Sequence, residues 1–195
     1  MDGIGKSLSQ VVASAIQSSI ESHQKLLELA PIIERISTAC LKTIKTGGTI
    51  FLFGNGGSAA DSQHIAAEFI GRFSKSRKSL PAIALTVNTS NLTAIANDYG
   101  YEQIFSRQLE GLLKKEDLVI GISTSGNSMN VLRAVEFAKS TGCFTIGLTG
   151  GNGGELKNLT DLCLIAPADT PARIQEIHIL AGHIFSEIVE NGFDK

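Results

Sequence analysis

Between residues 49 and 166 the chain carries five short apolar bursts, TIFLF (49–53), PAIALTV (81–87), LVIGI (118–122), FTIGL (144–148) and LCLIA (162–166). Glycine, serine, asparagine or proline sets each of them off. Runs this short, bounded by turn chemistry and showing little alternation, read as strands buried on both faces. Helix-like segments separate them, among them roughly residues 58–73, 102–113 and 130–140. Strands that alternate with helices form a parallel sheet, because a parallel crossover needs a helix's length of chain and packs it back over the sheet. The pattern predicts an α/β fold, a five-stranded parallel sheet flanked by helices on both faces.

The ends of the chain add helices. From Leu8 to about Lys45 the one strong turn signal is Pro31, and Ile33, Ile36, Cys40 and Ile44 recur at spacings of three and four. Two helices follow, with Pro31 suited to the first position of the second, where its missing N–H is not needed. The tail RIQEIHILAGHIFSEIVE reads as one long amphipathic helix. At 195 residues and 43% hydrophobic, the chain supports one sizeable core, so a single domain over 1–195 is expected, including an N-terminal helical pair at about 8–46. A net charge of −2 and no long Lys/Arg run argue against nucleic acid and an anionic membrane as partners. No apolar run approaches the roughly 18 to 20 residues of a membrane span. MDGIGKSLSQ has no charged leader followed by an apolar stretch, and Cys40, Cys143 and Cys163 are odd in number and form no CxxC pair. A cytoplasmic protein with reduced, core-filling cysteines is the expectation.

Ligands of parallel α/β sheets sit beyond the carboxyl ends of the strands, where loops lead into helix N-termini. Two loops here carry suitable atoms. TIFLF is followed by Gly54-Asn55-Gly56-Gly57-Ser58, and LVIGI by Ser123-Thr124-Ser125-Gly126-Asn127-Ser128. The second brings four hydroxyls to the start of the helix MNVLRAVEFAKS, whose free N–H groups and positive dipole end favour an anion. An N-cap alone needs only one such residue. The first loop also fits G-x-G-x-x-A through Gly54, Gly56 and Ala59, but PAIALTV runs into Asn88, Thr89 and Ser90 without the carboxylate a dinucleotide ribose requires. A Gly-Lys-Ser/Thr triplet follows neither loop, which excludes a Walker A site. The pattern favours the phosphate of a sugar over that of a nucleotide.

A helix beginning near Ser58 places Asp61, His64 and Glu68 on one face beside the crevice. An i,i+4 pair of this kind is commonly just solvated surface. However, the chain has four histidines, and His183 lies on the last helix with Gln175. Two imidazoles, a carboxylate and an amide oxygen suit a zinc-like ion, and the carboxylate or an imidazole can also move protons. His23 and His178 have no such setting and read as structural. Gln175 and His183 are eight residues apart, about 12 Å of rise and about 80° of rotation on a straight helix. Either the helix begins after Gln175 or two subunits share the site, and the number of amphipathic helices favours sharing within a symmetric oligomer.

In order and spacing, GNGGSAADSQHIAAEF, LTAIANDYGY, STSGNS and RIQEIHILAGH make the chain resemble the phosphoheptose isomerases of the sugar-isomerase (SIS) domain superfamily, over about residues 8–190. The resemblance implies an SIS-type, flavodoxin-like three-layer fold and interconversion of sedoheptulose 7-phosphate with D-glycero-D-manno-heptose 7-phosphate, the entry to ADP-heptose for lipopolysaccharide core or related glycans. It also implies a homotetramer. By the same resemblance Asn55, Gly56, Gly57, Glu68, Asn97, Asp98 and Gln175 contact the sugar and Ser123, Thr124, Ser125 and Ser128 hold the phosphate. His64, Glu68, Gln175 and His183 then form a Zn2+ site, with Glu68 and His183 the proton-transfer pair. Aldose–ketose isomerisation through an enediol needs a base on carbon, an acid for oxygen and stabilisation of the developing oxyanion, and these side chains offer each. A carboxylate held by zinc is a weaker base, so the two roles of Glu68 compete. A second branch of the superfamily shares SLPAIAL and LTAIAND and acts as a non-catalytic partner of the bacterial replication initiator. The presence of both Glu68 and His183 favours the enzyme over that binding or sensing role.

Overall fold

Along the first strand the side chains divide by parity, and the two layers of the molecule follow from that. Ile50 and Leu52 join a core with residues of the N-terminal and C-terminal helices, whereas Phe51 and Phe53 join a second core on the opposite face. The computed structural model describes residues 7–193. The strands are β1 (Ile50–Gly54), β2 (Ala82–Ala84), β3 (Leu118–Ser123), β4 (Phe144–Gly150) and β5 (Leu162–Ala166), all parallel, in the order β2-β1-β3-β4-β5. The helices are α1 (Leu8–Leu26), α2 (Ala30–Lys45), α3 (Gly57–Ile70), α4 (Thr89–Tyr99), α5 (Ser106–Leu112), α6 (Met129–Ser140), α7 (Leu156–Leu159) and α8 (Pro171–Phe193). α2, α3 and α8 cover one face of the sheet, while α5 and α6 cover the other. Among the described residues no helix is long and apolar enough to cross a membrane.

The expected five parallel strands and their flanking helices are present, and three local departures have physical causes. PAIALTV is a strand only over Ala82–Ala84. It lies at the sheet edge, Pro81 has no N–H to give, and beyond the Leu85 N–H bond to Leu52 (2.9 Å) the chain turns away, leaving Val87 exposed. The polar stretch that follows forms α4, capped by the Asn88 side chain accepting from Asn91 N–H (3.0 Å). α4 buries none of its residues fully and touches the core through the half-buried Leu92, Ile95 and Ala96, so no apolar period marked it. The segment at 102–113 is divided into a 3-10 turn at Tyr101–Gln103 and the shorter α5.

α8 is continuous from Pro171 and therefore runs through both Gln175 and His183. It lies parallel to α3, as three contacts along the seam show. The Gln175 amide covers Gly57, Ile65 faces Gly182, and Glu190 reaches the residues just past the end of α3. At the middle contact a Cβ on Gly182 would lie 2.5 Å from Ile65. The missing side chain is what lets the two helices approach.

Candidate active site

α3 starts where β1 ends, and Gly56, with φ of 56°, makes the turn between them in a region that side chains disfavour. Eight and twelve residues beyond Gly56, the helix presents His64 and Glu68. His64 Nε2 lies 3.2 Å from Glu68 Oε1 and 3.3 Å from His183 Nε2 on α8. One donor atom from each of these residues lies within 4.8 Å of the others. The two imidazoles meet edge to face, and the Phe73 ring, 5.9 Å away, forms a wall against His183. One turn earlier on α3, Asp61 is half-buried and its Oδ2 has no partner; burial raises its pKa to about 6, against the pull of nearby His64.

Three of the four expected metal ligands thus meet within one chain. Gln175 does not join them, because its amide packs on Gly57 at the N-terminal end of the α3–α8 seam, whereas His183 adjoins Gly182 at the middle contact. A helix starting after Gln175 is ruled out by the continuity of α8. Glu68 and His183 therefore belong to one chain's cluster, so a site shared between subunits would separate Gln175 from that cluster and leave Glu68 and His183 together. The packing reason is the close approach of α3 and α8 at Gly182.

The serine-rich loop closes β3 onto α6. Ser123 Oγ lies 2.9 Å from Ser128 Oγ and 3.4 Å from Ser125 Oγ, so three hydroxyls converge. Ser128 occupies the N-cap of α6, yet its hydroxyl makes no capping bond. Thr124 is half-buried beside them, and its carbonyl accepts the Gly150 N–H at 3.1 Å. Across the loop, Gly126 packs against Gly153 and Gly154, and the Asn127 side chain accepts the Glu155 N–H (3.0 Å). The loop is therefore braced from behind by residues 150–156.

Asn55 links the two loops. It exchanges amide hydrogen bonds with Asn130 at 2.9 and 2.8 Å, and Tyr101 OH donates to Asn55 Oδ1 at 3.0 Å. Asn97 and Asp98 are exposed near the end of α4, where the Asn97 amide donates to Asp98 (2.8 Å). Their link to the first loop runs through Tyr101, which follows α4. Neither Asn130 nor Tyr101 stood out in the sequence; the available signal was an asparagine two residues beyond the serine loop. His178 is fully buried, with Nε2 3.0 Å from the Thr149 carbonyl, and burial pushes its pKa down to about 4. That neutral state fits the structural role expected of it. At the amino ends of the strands a separate cavity of about 500 Å³ includes Lys42, Lys115, Asp117 and Asp161 in its lining. Both acids there are committed to backbone N–H groups, Asp117 to those of Thr49 and Lys114 and Asp161 to that of Thr145.

The SIS domain family matches residues 13–150. A phosphoheptose isomerase of Nitratiruptor sp. is 53% identical over 183 residues, covering 91% of this chain and 98% of that relative. One from Clostridium acetobutylicum is 52% identical over 182 residues, covering 92% and 93% of the two chains. Among solved structures, the phosphoheptose isomerase of Neisseria gonorrhoeae is 40% identical with a TM-score of 0.90, covering 95% of this chain and 100% of that one.

Proposed function

The chain belongs to the phosphoheptose isomerase family of SIS-domain proteins, and from that premise we propose that it interconverts sedoheptulose 7-phosphate and D-glycero-D-manno-heptose 7-phosphate through an enediol. The observation that carries the proposal is the meeting of His64, Glu68 and His183 across the α3–α8 seam. The Ser123, Ser125 and Ser128 hydroxyls, with Thr124 and the N-terminus of α6, hold the phosphate. Asn55, Gly56, Gly57, Asn97, Asp98 and Gln175 line the path of the sugar. Glu68 takes the proton from the carbon beside the carbonyl and returns it to the former carbonyl carbon, while His183 gives a proton to the carbonyl oxygen as the enediol forms and takes one from the neighbouring hydroxyl as it collapses. A carboxylate and an imidazole this close can reach adjacent atoms of one substrate.

The donor set fits zinc. Zinc–nitrogen and zinc–oxygen bonds of about 2.0–2.2 Å in a tetrahedron put neighbouring donor atoms about 3.3–3.6 Å apart. The His64–His183 and His64–Glu68 spacings of 3.3 and 3.2 Å are close to that edge. His64, Glu68 and His183 of one subunit would hold the ion, with Gln175 supplied by a neighbouring subunit. Bound there, zinc would polarise the sugar's oxygens as a Lewis acid. Elemental analysis is expected to find zinc in the metal-replete protein and markedly less in His64→Ala; equal content would remove His64 from the site.

The homotetramer of the proposal is supported by apolar surface on the N-terminal helices. Val12, Ile16 and Ile20 stand exposed along α1, and a groove of about 380 Å³ is lined in part by Leu27, Ile33, Leu180, Ile184 and Ile188. Free thiols at Cys40, Cys143 and Cys163 support a cytoplasmic setting. The deciding experiment is incubation of purified protein with sedoheptulose 7-phosphate, followed by NMR. Appearance of the aldose is the expected result. Binding of the sugar phosphate without turnover by folded, zinc-supplied protein would overturn the enzyme reading and favour a sensing role.

A further inference from the structure

We propose that Asn130 and Tyr101 are positioning residues which fix the Asn55 side chain so that it offers an N–H, not a carbonyl oxygen, to the substrate. The inference rests on the isomerase reading of the site and adds a direction to one of its contacts.

The orientation follows from a chain of hydrogen bonds that begins at the backbone. Val131 N–H donates to Asn130 Oδ1 at 3.0 Å. A backbone N–H can only donate, so that atom of Asn130 is the oxygen and the other is the NH₂ group. Asn130 is nearly fully buried, and its amide is held in this sense. Its Nδ2 then faces an acceptor and its Oδ1 a donor on Asn55, which sets the Asn55 amide by reciprocity (2.8 and 2.9 Å). The Tyr101 hydroxyl adds a second donor to Asn55 Oδ1 at 3.0 Å. Both lone pairs of that oxygen are then engaged, whereas Nδ2 has one N–H committed and one left over. An open cleft of about 540 Å³ borders this group, with Ser128, Met129 and Arg133 also in its lining. The spare N–H suits an oxygen of the phosphorylated sugar.

The arrangement also joins three segments that the proposed function needs at once. Asn55 belongs to the loop after β1, Asn130 to the first turn of α6 behind the serine loop, and Tyr101 to the turn after the α4 residues Asn97 and Asp98. Nothing in the sequence spacing of these residues announces the connection.

Tyr101→Phe is the cleanest test because Tyr101 is 60% exposed and its ring does not support the core. Removing one of the two donors on Asn55 Oδ1 is expected to raise KM for sedoheptulose 7-phosphate roughly three- to tenfold, with kcat within about twofold and thermal stability unchanged. Asn130→Asp replaces the donor facing Asn55 Oδ1 with an acceptor, which favours the flipped Asn55 amide, and a KM rise of more than about tenfold is expected. If Asn130→Asp fails to fold, Tyr101→Phe decides alone. Wild-type protein that isomerises the sugar, together with a folded Tyr101→Phe variant of unchanged KM, would overturn the positioning role while leaving the isomerase reading intact. Wild-type protein without isomerase activity would instead remove the premise.

Discussion

Ser128 could have been an ordinary helix cap, and the geometry at that one residue separates capping from binding. Its hydroxyl turns towards Ser123 instead of the first turn of α6, so it caps none of the N–H groups at the start of that helix. Ser125→Ala or Ser128→Ala is therefore expected to raise KM for the phosphorylated sugar about three- to thirtyfold, since each removes a hydrogen bond to a charged group, with small change in stability. Steady-state kinetics on folded variants check this, and an unchanged kcat/KM in both would displace the phosphate from the loop. Elsewhere, single residues set the response to acid. His178 is held below its ordinary value of 6.5, at about 4, by burial. The unfolded chain thus takes up a proton first, and stability present above pH 6.5 is lost as pH falls through 4. Burial alone would raise the Glu190 carboxylate, but hydrogen bonds from Ser74, Lys75 and Phe73 bring it to about 2, so its contribution is lost at pH below 4.5. Urea midpoints are expected to fall in two stages, and His178→Asn should flatten the first. The candidate site was partly legible at this scale, because His64 and Glu68 advertise one helix face by their spacing. Phe73 and Asn130 were not, since they act through packing and amide geometry that sequence does not record.

Two parallel helices carry the proposed chemistry, and their register is what makes His64, Glu68 and His183 neighbours. Glu190 fixes one end of the seam. Its carboxylate accepts from the N–H groups of Phe73, Ser74 and Lys75 at 2.8–2.9 Å and from Arg77 Nε at 3.1 Å. Arg77 in turn donates to the Glu68 and Phe69 carbonyls at the end of α3. Both charged side chains are 1% exposed, so removing either partner would leave a buried charge unpaired. In the middle of the seam, Gly182→Ala sets two effects against each other. Alanine gains about 1 kcal/mol in a helix interior. Its Cβ, however, would sit 2.5 Å from the fully buried Ile65, and overpacking of this kind costs about 1–3 kcal/mol. The close contact is expected to win, giving a net loss of about 1 kcal/mol by urea denaturation together with lower kcat as α8 moves off α3. The seam was invisible in the sequence because glycine inside an apolar helix signals neither partner nor direction. α4 was invisible for the opposite reason, its composition being that of a loop.

At the scale of the whole molecule, the sheet was readable because β1, β3 and most of β4 are buried on both faces and so must be continuous apolar runs. Assembly was readable only as a conflict: one helix holding Gln175 and His183 cannot bring both to one point. The fold resolves half of it. His183 stays with His64 and Glu68 of its own chain, while Gln175 is left at Gly57, beside the expected path of the sugar. If Gln175 serves the cluster of a neighbouring subunit, two mixing experiments have opposite outcomes. Inactive Gln175→Ala chains mixed with inactive His183→Ala chains are expected to regain activity, because an intact cluster on the first can receive Gln175 from the second. Inactive Glu68→Gln chains mixed with His183→Ala chains should regain none, since every cluster in the hybrid lacks one of its own residues. Subunit exchange is confirmed by native mass spectrometry in each case. Recovery in the first mixture alone places the division of the site between Gln175 and the cluster. Recovery in the second mixture would contradict the single-chain meeting of Glu68 and His183, and failure in both would confine Gln175 to the sugar contact it approaches in its own subunit.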